Sequence, residues 1–477
     1  MRKTFMGVRL RTLREQRGLT QAALAHALDL SPSYVNQLEN NQRPLSVPVL
    51  LKLQAALGVD LQWFSEDEEA RLIAQLQDAA ADAGPGAAIA AAELRALAQQ
   101  MPAVARRLIE LQRQAREARE RLEALADGIG DRALLSGVAP TQPHEEVRDF
   151  FYARHNHITE LDALAEALHA QLKPASALAG ELAPALQRLL KQRHGVMVQS
   201  AEPGSSGALR RYDSARRVLR LHPELEPGQR SFQLGVQLAL LEAGELIAQI
   251  VAGAALHSDE SRALARIGLA SYFAGALVLP YGAFLAAAQA LRYDIELLAR
   301  RFGVSFETVC HRLSTLQRPE APGVPFFFIR VDRAGNISKR QSATDFHFSR
   351  SGGTCPLWNV YEAFAQPDRV LTQLAQMPDG RTYLWIARSV RSPGAGFGAP
   401  ERAFAVALGC DRRHAASLVY SRGLALDDPA AATPIGPGCK VCDRPACAQR
   451  AFPALGRALR IREDERLREP YASEAAT

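Results

Sequence analysis

The stretch that most constrains this chain is Gly18–Leu45, GLTQAALAHALDLSPSYVNQLENNQRPL. It holds two helix starts in quick succession. Thr20 is placed to cap a helix from Gln21. Ser31 caps a second, with Pro32 in its first position, where a missing N–H costs no hydrogen bond. Ala23, Leu24, Leu28 and Leu30 are the expected buried side of the first helix, and Val35 and Leu38 that of the second. That leaves Ser33, Tyr34, Asn36 and Gln37 facing out, and short polar or amide side chains suit base edges in a major groove. Asn40, Asn41 and Arg43 follow at the helix end, at the height of phosphate oxygens. Any small helical domain can show two capped helices, so the arrangement alone leaves a purely structural role open.

With its flanks RLRTLREQRGLTQ and SVPVLLKLQAALGVDLQWF, the stretch resembles the helix-turn-helix of the Cro/repressor family. The resemblance implies double-stranded DNA as partner, contacted by Gln21, Ser31, Ser33, Tyr34, Asn36, Gln37, Asn41 and Arg43. Charge agrees: residues 1–64 carry eight Lys/Arg against four Asp/Glu, within a whole-chain formal charge of +6. The expected head is an all-α domain over residues 1–65. Residues 4–17 form its first helix, with Phe5, Val8 and Leu13 packed beneath the pair.

At 477 residues the chain is too long for one ordinary core and is read as multidomain, mainly α with α+β. No opening segment looks like a secretion signal. The apolar stretches near 235–255 and 268–291 are broken by Gln, Glu, Pro and Tyr, so a cytoplasmic protein with no membrane partner is expected. Residues 66–140 are expected to be helical, with a break at 83–86. From Ala91 to Leu125, apolar residues recur at Leu94, Leu97, Met101, Val104, Leu108 and Leu111, a face for a partner helix. It suits either a symmetry mate or the next domain. A homo-dimer or higher homo-oligomer is expected in any case, because a palindromic or repeated promoter site needs two heads.

The second large domain is set at 141–317. Gly195 should end a helix before a strand at Val196–Val198, and ALRRYDSARRVLRLHPEL reads as a hairpin. The following RSFQLGVQLAL resembles the helix of the ImmA/IrrE zinc peptidase-like family that carries H-E-x-x-H. Here Val236 and Leu240 stand in place of the two histidines, Gln237 in place of the glutamate, and Ala270 where an acidic ligand is expected. Imidazoles four apart would grip zinc and the Glu would activate its water; Val, Gln and Leu do neither. The resemblance therefore implies a degenerate zincin-like scaffold with no catalytic residues, not an enzyme. His222, His257 and His311 are taken as ordinary histidines, and the helix pair in 298–316 as structural.

A third domain, α+β, is expected over 318–460 with a tail at 461–477. After the joint QRPEAPGVP come strands at Phe326–Val331 and Ile337–Arg340 around the turn 332–336, then RTYLWIARSV and RAFAVALGC. GCKVCDRPACAQR places Cys439, Cys442 and Cys447 at C-x2-C-x4-C. Thiolates so spaced can converge on one metal, with Cys410 as expected fourth ligand and Cys355 and His414 in reserve. Spacing does not choose between zinc and a 4Fe-4S cluster, and free thiols remain the alternative. Cys310 is taken as a small buried side chain.

Together with PFFFIRVDRAGNISKR, FHFSRSGGTCPLWNVYEAF and LGCDRRHAASLVYSRGL, these features resemble bacterial short-chain acyl-CoA-responsive regulators of methylcitrate, glyoxylate or propionyl-CoA carboxylation genes. The resemblance implies a sensor for a short acyl-CoA, propionyl-CoA or acetyl-CoA, in the C-terminal part. Arg330, Lys339, Arg340, Arg350 and Arg388 are the candidates for its phosphates, and Phe346, Phe348, Trp358 and Tyr361 for the acyl-pantetheine arm. The alternative reading is a redox-responsive regulator whose metal site is the sensor.

Overall fold

The computed structural model describes residues 6–40, 42–58, 66–82, 89–126, 143–172, 178–202, 208–343, 355–392 and 401–439, and beyond these 442, 444–445, 447–453, 459, 461, 463–465 and 471. The chain divides into two compact units. One comprises Met1–Ala139, Asp345–Cys355 and Gly436–Thr477; the other comprises Pro140–Thr344 and Pro356–Ile435.

The first unit begins with α1 (Gly7–Gln16), α2 (Gln21–Ala27), α3 (Pro32–Glu39) and α4 (Val47–Leu57). Their shared core is Met6, Leu10, Leu13, Leu24, Ala25, Leu28, Val35, Leu38, Leu45, Val49 and Leu53. The inward side of α2 is Leu24, Ala25 and Leu28, whereas Ala23 is exposed: the helical period turns it away. Under the pair, Met6 and Leu10 join Leu13, while Val8 is only half-buried and Phe5 lies outside the described residues. Gly7 lets α1 approach the carbonyls of Leu38 and Glu39 more closely than any side chain would allow.

Three more helices follow: α5 (Glu66–Asp82), α6 (Ala91–Gln100) and α7 (Pro102–Ala126). Leu72, Leu76, Leu94, Ala98 and Ala105 form their core, with Leu97 and Ile109 against it. The long helix expected from Ala91 is two helices. Pro102 cannot donate to the preceding turn and disfavours α geometry at Met101, which sits at φ −136°, ψ 58°.

In the second unit, α8 (Pro143–Tyr152), α9 (Thr159–Leu172) and α10 (Leu182–His194) lead into a small sheet of β1 (Met197–Ser200), β2 (Arg210–Asp213) and β3 (Val218–Leu221) in the order β1-β3-β2. The expected β2–β3 hairpin is present, and β3 pairs parallel with β1. Next come α11 (Pro227–Glu242), α12 (Gly244–Ala252), α13 (Asp259–Val278), α14 (Tyr281–Ala290), α15 (Ile295–Phe302) and α16 (Phe306–Leu313). The chain then builds β4 (Phe327–Val331), β5 (Ile337–Ser342), the short α17 (Asn359–Glu362), β6 (Leu371–Gln376), β7 (Thr382–Ser392), β8 (Arg402–Asp411), the short α18 (Arg412–Ala415) and β9 (Thr433–Pro434). These strands form one sheet, β5-β4-β8-β7-β6-β9, antiparallel except at β6–β9.

One core joins the helices and this sheet. Phe328, Leu384, Ile386, Val406, Leu408 and Cys410 are buried with Leu298, Phe302, Val309 and Leu313. The sheet thus has a helix-facing side and, by strand alternation, an opposite side bearing Phe327, Trp385 and Gly409. Among the described residues no single helix is long and apolar enough to cross a membrane; the two apolar pairs, α11–α12 and α13–α14, are bent by 73° and 62°.

Candidate nucleic-acid interface and sensor face

The head is built as its sequence dictates. The Thr20 hydroxyl accepts from the Ala23 N–H at 3.1 Å and the Ser31 hydroxyl from the Tyr34 N–H at 3.1 Å, capping α2 and α3. Between them Asp29 takes a left-handed conformation, φ 50°, which an Asp tolerates better than a branched residue would. Ser33 and Asn36 are exposed, and Tyr34 and Gln37 half-buried. The Arg43 guanidinium lies over the Tyr34 ring at 5.4 Å, so this cation and this aromatic form one unit at the end of α3. Asn41 lies outside the described residues.

What the sequence reading missed is the polar pin under this surface. Glu39, only 2 % exposed, takes Arg14 Nε at 2.6 Å and Arg14 Nη2 at 3.2 Å, with Gln21 Nε2 at 2.8 Å. Burial opposes the Glu39 charge, but hydrogen bonds from Arg14 and Gln21 and the nearby Arg11 charge outweigh it and hold the carboxyl below its usual range. Gln21 is therefore tied into the domain as well as lying beside α3. Asn36 Oδ1 accepts from Asn40 Nδ2 at 2.9 Å, and Asn40 Oδ1 from Arg11 Nη2 at 2.7 Å. The available signal was an acid following Leu38 directly, inside a helix whose apolar face closes the core.

In the middle of the chain, α11 carries Val236, Gln237 and Leu240 where a peptidase would carry ligands and base. Val236 and Gln237 are buried, and Gln237 Oε1 accepts a hydrogen bond from the Arg210 guanidinium of β2. Ala270 on α13 is fully buried, and Gly235 lets α11 pack directly on Ala274. Side chains that neither ligate nor activate water fill the position. Below it, Arg312 is buried and anchored to Asp162 at 2.7 Å and to the Leu279 carbonyl at 2.9 Å. Of the three histidines, His257 Nδ1 lies 3.0 Å from Glu146 and His311 packs edge-on against Phe328 at 5.8 Å.

The expected ligand residues of the sheet fall on opposite sides of it. Arg330 is held by Glu307 at 3.0 Å and Ser338 at 3.0 Å, and Arg388 by Glu296 at 3.1 Å, both on the helix-facing side. Lys339, opposite Arg330 in the register, lies over the Phe328 ring at 5.7 Å, and burial pushes its amine down to about 8. Arg340 pairs with Ile329 on the opposite side, where Trp358 packs edge-on against Trp385 at 4.3 Å. Tyr361 lies against Gly335. Phe346, Phe348 and Arg350 lie outside the described residues.

That opposite side has a particular composition. Ala387 on β7 and Ala405 and Ala407 on β8 are fully buried, and Ser389 beside them is 4 % exposed. The Ser389 hydroxyl has no hydrogen-bond partner. Asn359 at the start of α17 reaches the Leu371 carbonyl through Nδ2 at 3.4 Å, whereas its Oδ1, also buried, has no partner. Leu371 pairs with Ala387, so the two unsatisfied polar atoms flank the same alanine. Neither residue stands out in the sequence.

The expected zinc or 4Fe-4S site is not there. Among the described residues, which include Cys410, Cys439, Cys442 and Cys447, no three His, Cys, Asp or Glu side chains come together to hold a metal. Cys410 belongs to the apolar core of the second unit, and burial drives its thiol far above the ordinary value, whereas a metal ligand must be a thiolate. The turn holding the other three is pinned by the buried Arg450, whose guanidinium donates to the carbonyls of Cys439, Cys442 and Arg444. The reserves do not complete a site either: His414 Nε2 is engaged by Arg413 at 3.2 Å, and Cys355 is simply buried.

Three family models match the chain in order: a helix-turn-helix over residues 10–64, an IrrE N-terminal-like domain over 191–314, and the short-chain fatty acyl coenzyme A regulator C-terminal domain over 315–471. The chain is 52 % identical to the HTH-type transcriptional regulator PrpR of Mycobacterium tuberculosis, over 99 % of this chain and 96 % of that protein. It is 44 % identical to the propionyl-CoA carboxylase regulator of Cereibacter sphaeroides, over 98 % of each. A solved structure of a Mycobacterium tuberculosis transcriptional regulator superposes with a TM-score of 0.67 at 54 % identity, covering 70 % of this chain and all of that one.

Proposed function

The chain belongs to the family of short-chain fatty acyl coenzyme A regulators, DNA-binding transcription factors rather than peptidases, and we propose that it works in the cytoplasm as a two-headed sensor of a short acyl-CoA such as propionyl-CoA. In this reading α3 enters a major groove. Ser33, Asn36 and Gln37 meet base edges there, and Arg43, steadied by Tyr34, meets phosphate with Ser31 and Gln21 at the groove edge. Genes of short-chain acyl-CoA metabolism are the targets that fit the relatives' names.

The single observation that carries the sensor reading is the pair of buried, unsatisfied groups, Ser389 Oγ and Asn359 Oδ1, beside an alanine floor. Unpaired buried polar atoms cost about 1–3 kcal/mol each, and a ligand that pairs them recovers that cost. A pantetheine arm offers the complement: amide N–H groups for Asn359 Oδ1 and carbonyl oxygens for the Ser389 hydroxyl. Ala387, Ala405 and Ala407 leave width for a short acyl chain, with Trp358 at one end and Arg340 and Tyr361 on the same side of the sheet.

Calorimetric titration with CoA, acetyl-CoA, propionyl-CoA and butyryl-CoA tests it. Binding that prefers one short acyl chain and is lost in Ser389→Val supports the reading. No binding to any of the four by folded protein contradicts it.

A further inference from the structure

Helix α7 has two apolar faces, and its own domain uses one. Ala105 and Ile109 pack on α5 and α6. On another face Met101, Val104, Leu108 and Leu111 stand 55 %, 48 %, 45 % and 46 % exposed. Their spacing alternates three and four, and the sequence carries the alternation on through Ala115, Ala118, Leu122 and Leu125 to the end of the helix. An apolar 3-4 repeat sustained over a whole helix is the pattern of a coiled-coil seam, with Met101, Leu108, Ala115 and Leu122 at one seam position and Val104, Leu111, Ala118 and Leu125 at the other.

We propose that this outer stripe of α7 is the seam of a parallel two-stranded coiled coil between two copies of the chain. The flanking residues select the occupant and its direction. Beside the seam lie Arg107, Gln114 and Arg121 on one flank and Ala105, Gln112 and Arg119 on the other. A parallel in-register copy pairs Arg107 with Gln112 and Gln114 with Arg119 across the seam, cation against amide. Gln114 Nε2 already donates to Glu110 at 2.9 Å within its own helix, so its carbonyl oxygen is the group that meets Arg119. An antiparallel copy sets Arg107 against Arg121, like against like, with no acid at these positions to relieve it. Ala115 and Ala118 in successive layers let the two helices approach closely.

The proposal deepens the two-headed reading above, which requires two heads without saying what joins them. A parallel seam starts both copies of α7 at the same end and gives the pair of heads a two-fold relation suited to a palindrome.

Sedimentation velocity of the full chain, with L108E/L111E beside it, is the first test. The expected result is a wild-type dimer and a monomeric variant whose circular dichroism and melting are unchanged, because both side chains are already half in water. On a duplex selected by the wild-type chain from a random-sequence pool, the variant loses about 100-fold or more in affinity for two half-sites but keeps its affinity for one. That retained contact separates failure of the seam from failure of the DNA reading. L108C tests direction without a new charge: it cross-links to its own copy under oxidation in a parallel seam. A monomeric wild type, a dimer indifferent to L108E/L111E, or cross-linking only in L108C/A118C would overturn the proposal.

Discussion

Glu39 shows how one residue sets the working surface of the head. It is buried, it is charged, and its partners are Arg14 and Gln21 from the two preceding helices. Removing one member of a buried ion pair strands the other, typically at about 3–5 kcal/mol. Glu39→Ala is therefore expected to abolish DNA binding by melting the head, while acyl-CoA binding by the second unit persists; separate thermal transitions check this. The pair also fixes a pH dependence. The Glu39 carboxyl is held below its usual range in the folded chain, so its contribution is complete above the ordinary carboxylate range and is lost as pH falls through its lowered value. The head is expected to melt in that acid window and Glu39→Gln to flatten the dependence, read by circular dichroism. On the outer surface the roles divide. Replacing Asn36 or Gln37 with Ala should relax base preference, each lost base contact being worth about 1–3 kcal/mol, whereas Arg43→Ala should weaken all sequences alike and shallow the salt dependence.

At the scale of elements, much was legible. The caps at Thr20 and Ser31, the β2–β3 hairpin, the silent residues on α11 and the strands β4, β7 and β8 follow from local pattern, because caps, turns and periodicity are local chemistry. What escaped was set by tertiary partners. Periodicity from Ala91 to Leu125 concealed the break at Pro102, and with it the division of apolar residues between an inner and an outer face. The cysteine spacing suggested a ligand set, yet spacing says nothing of where side chains point, and Cys410 points into an apolar core. Sheet alternation likewise parted Arg330 and Arg388 from Trp358, which composition alone had grouped. Gly409 carries a further consequence of that alternation. A side chain there would run into the Phe327 ring, next to Trp385. Gly409→Ala should cost about 1–3 kcal/mol through overpacking and disturb the acyl-CoA face, seen as a lower melting temperature and weaker titration.

Across the whole molecule, the account joins a DNA-reading head to an acyl-CoA face carried by the other unit. A ligand can act on DNA binding only if it favours one of two states, and the coupling must run equally in both directions. The measurement that tests this most directly is DNA affinity by fluorescence anisotropy, with saturating propionyl-CoA, with free CoA and without ligand, for wild type and Ser389→Val. A coupling of about 1–3 kcal/mol, or roughly 5- to 150-fold, is the usual range. The expected result is a change of that order with propionyl-CoA, little with free CoA, and none in Ser389→Val, whose own DNA affinity stays normal. DNA affinity indifferent to propionyl-CoA in a wild-type chain that binds it would contradict the account.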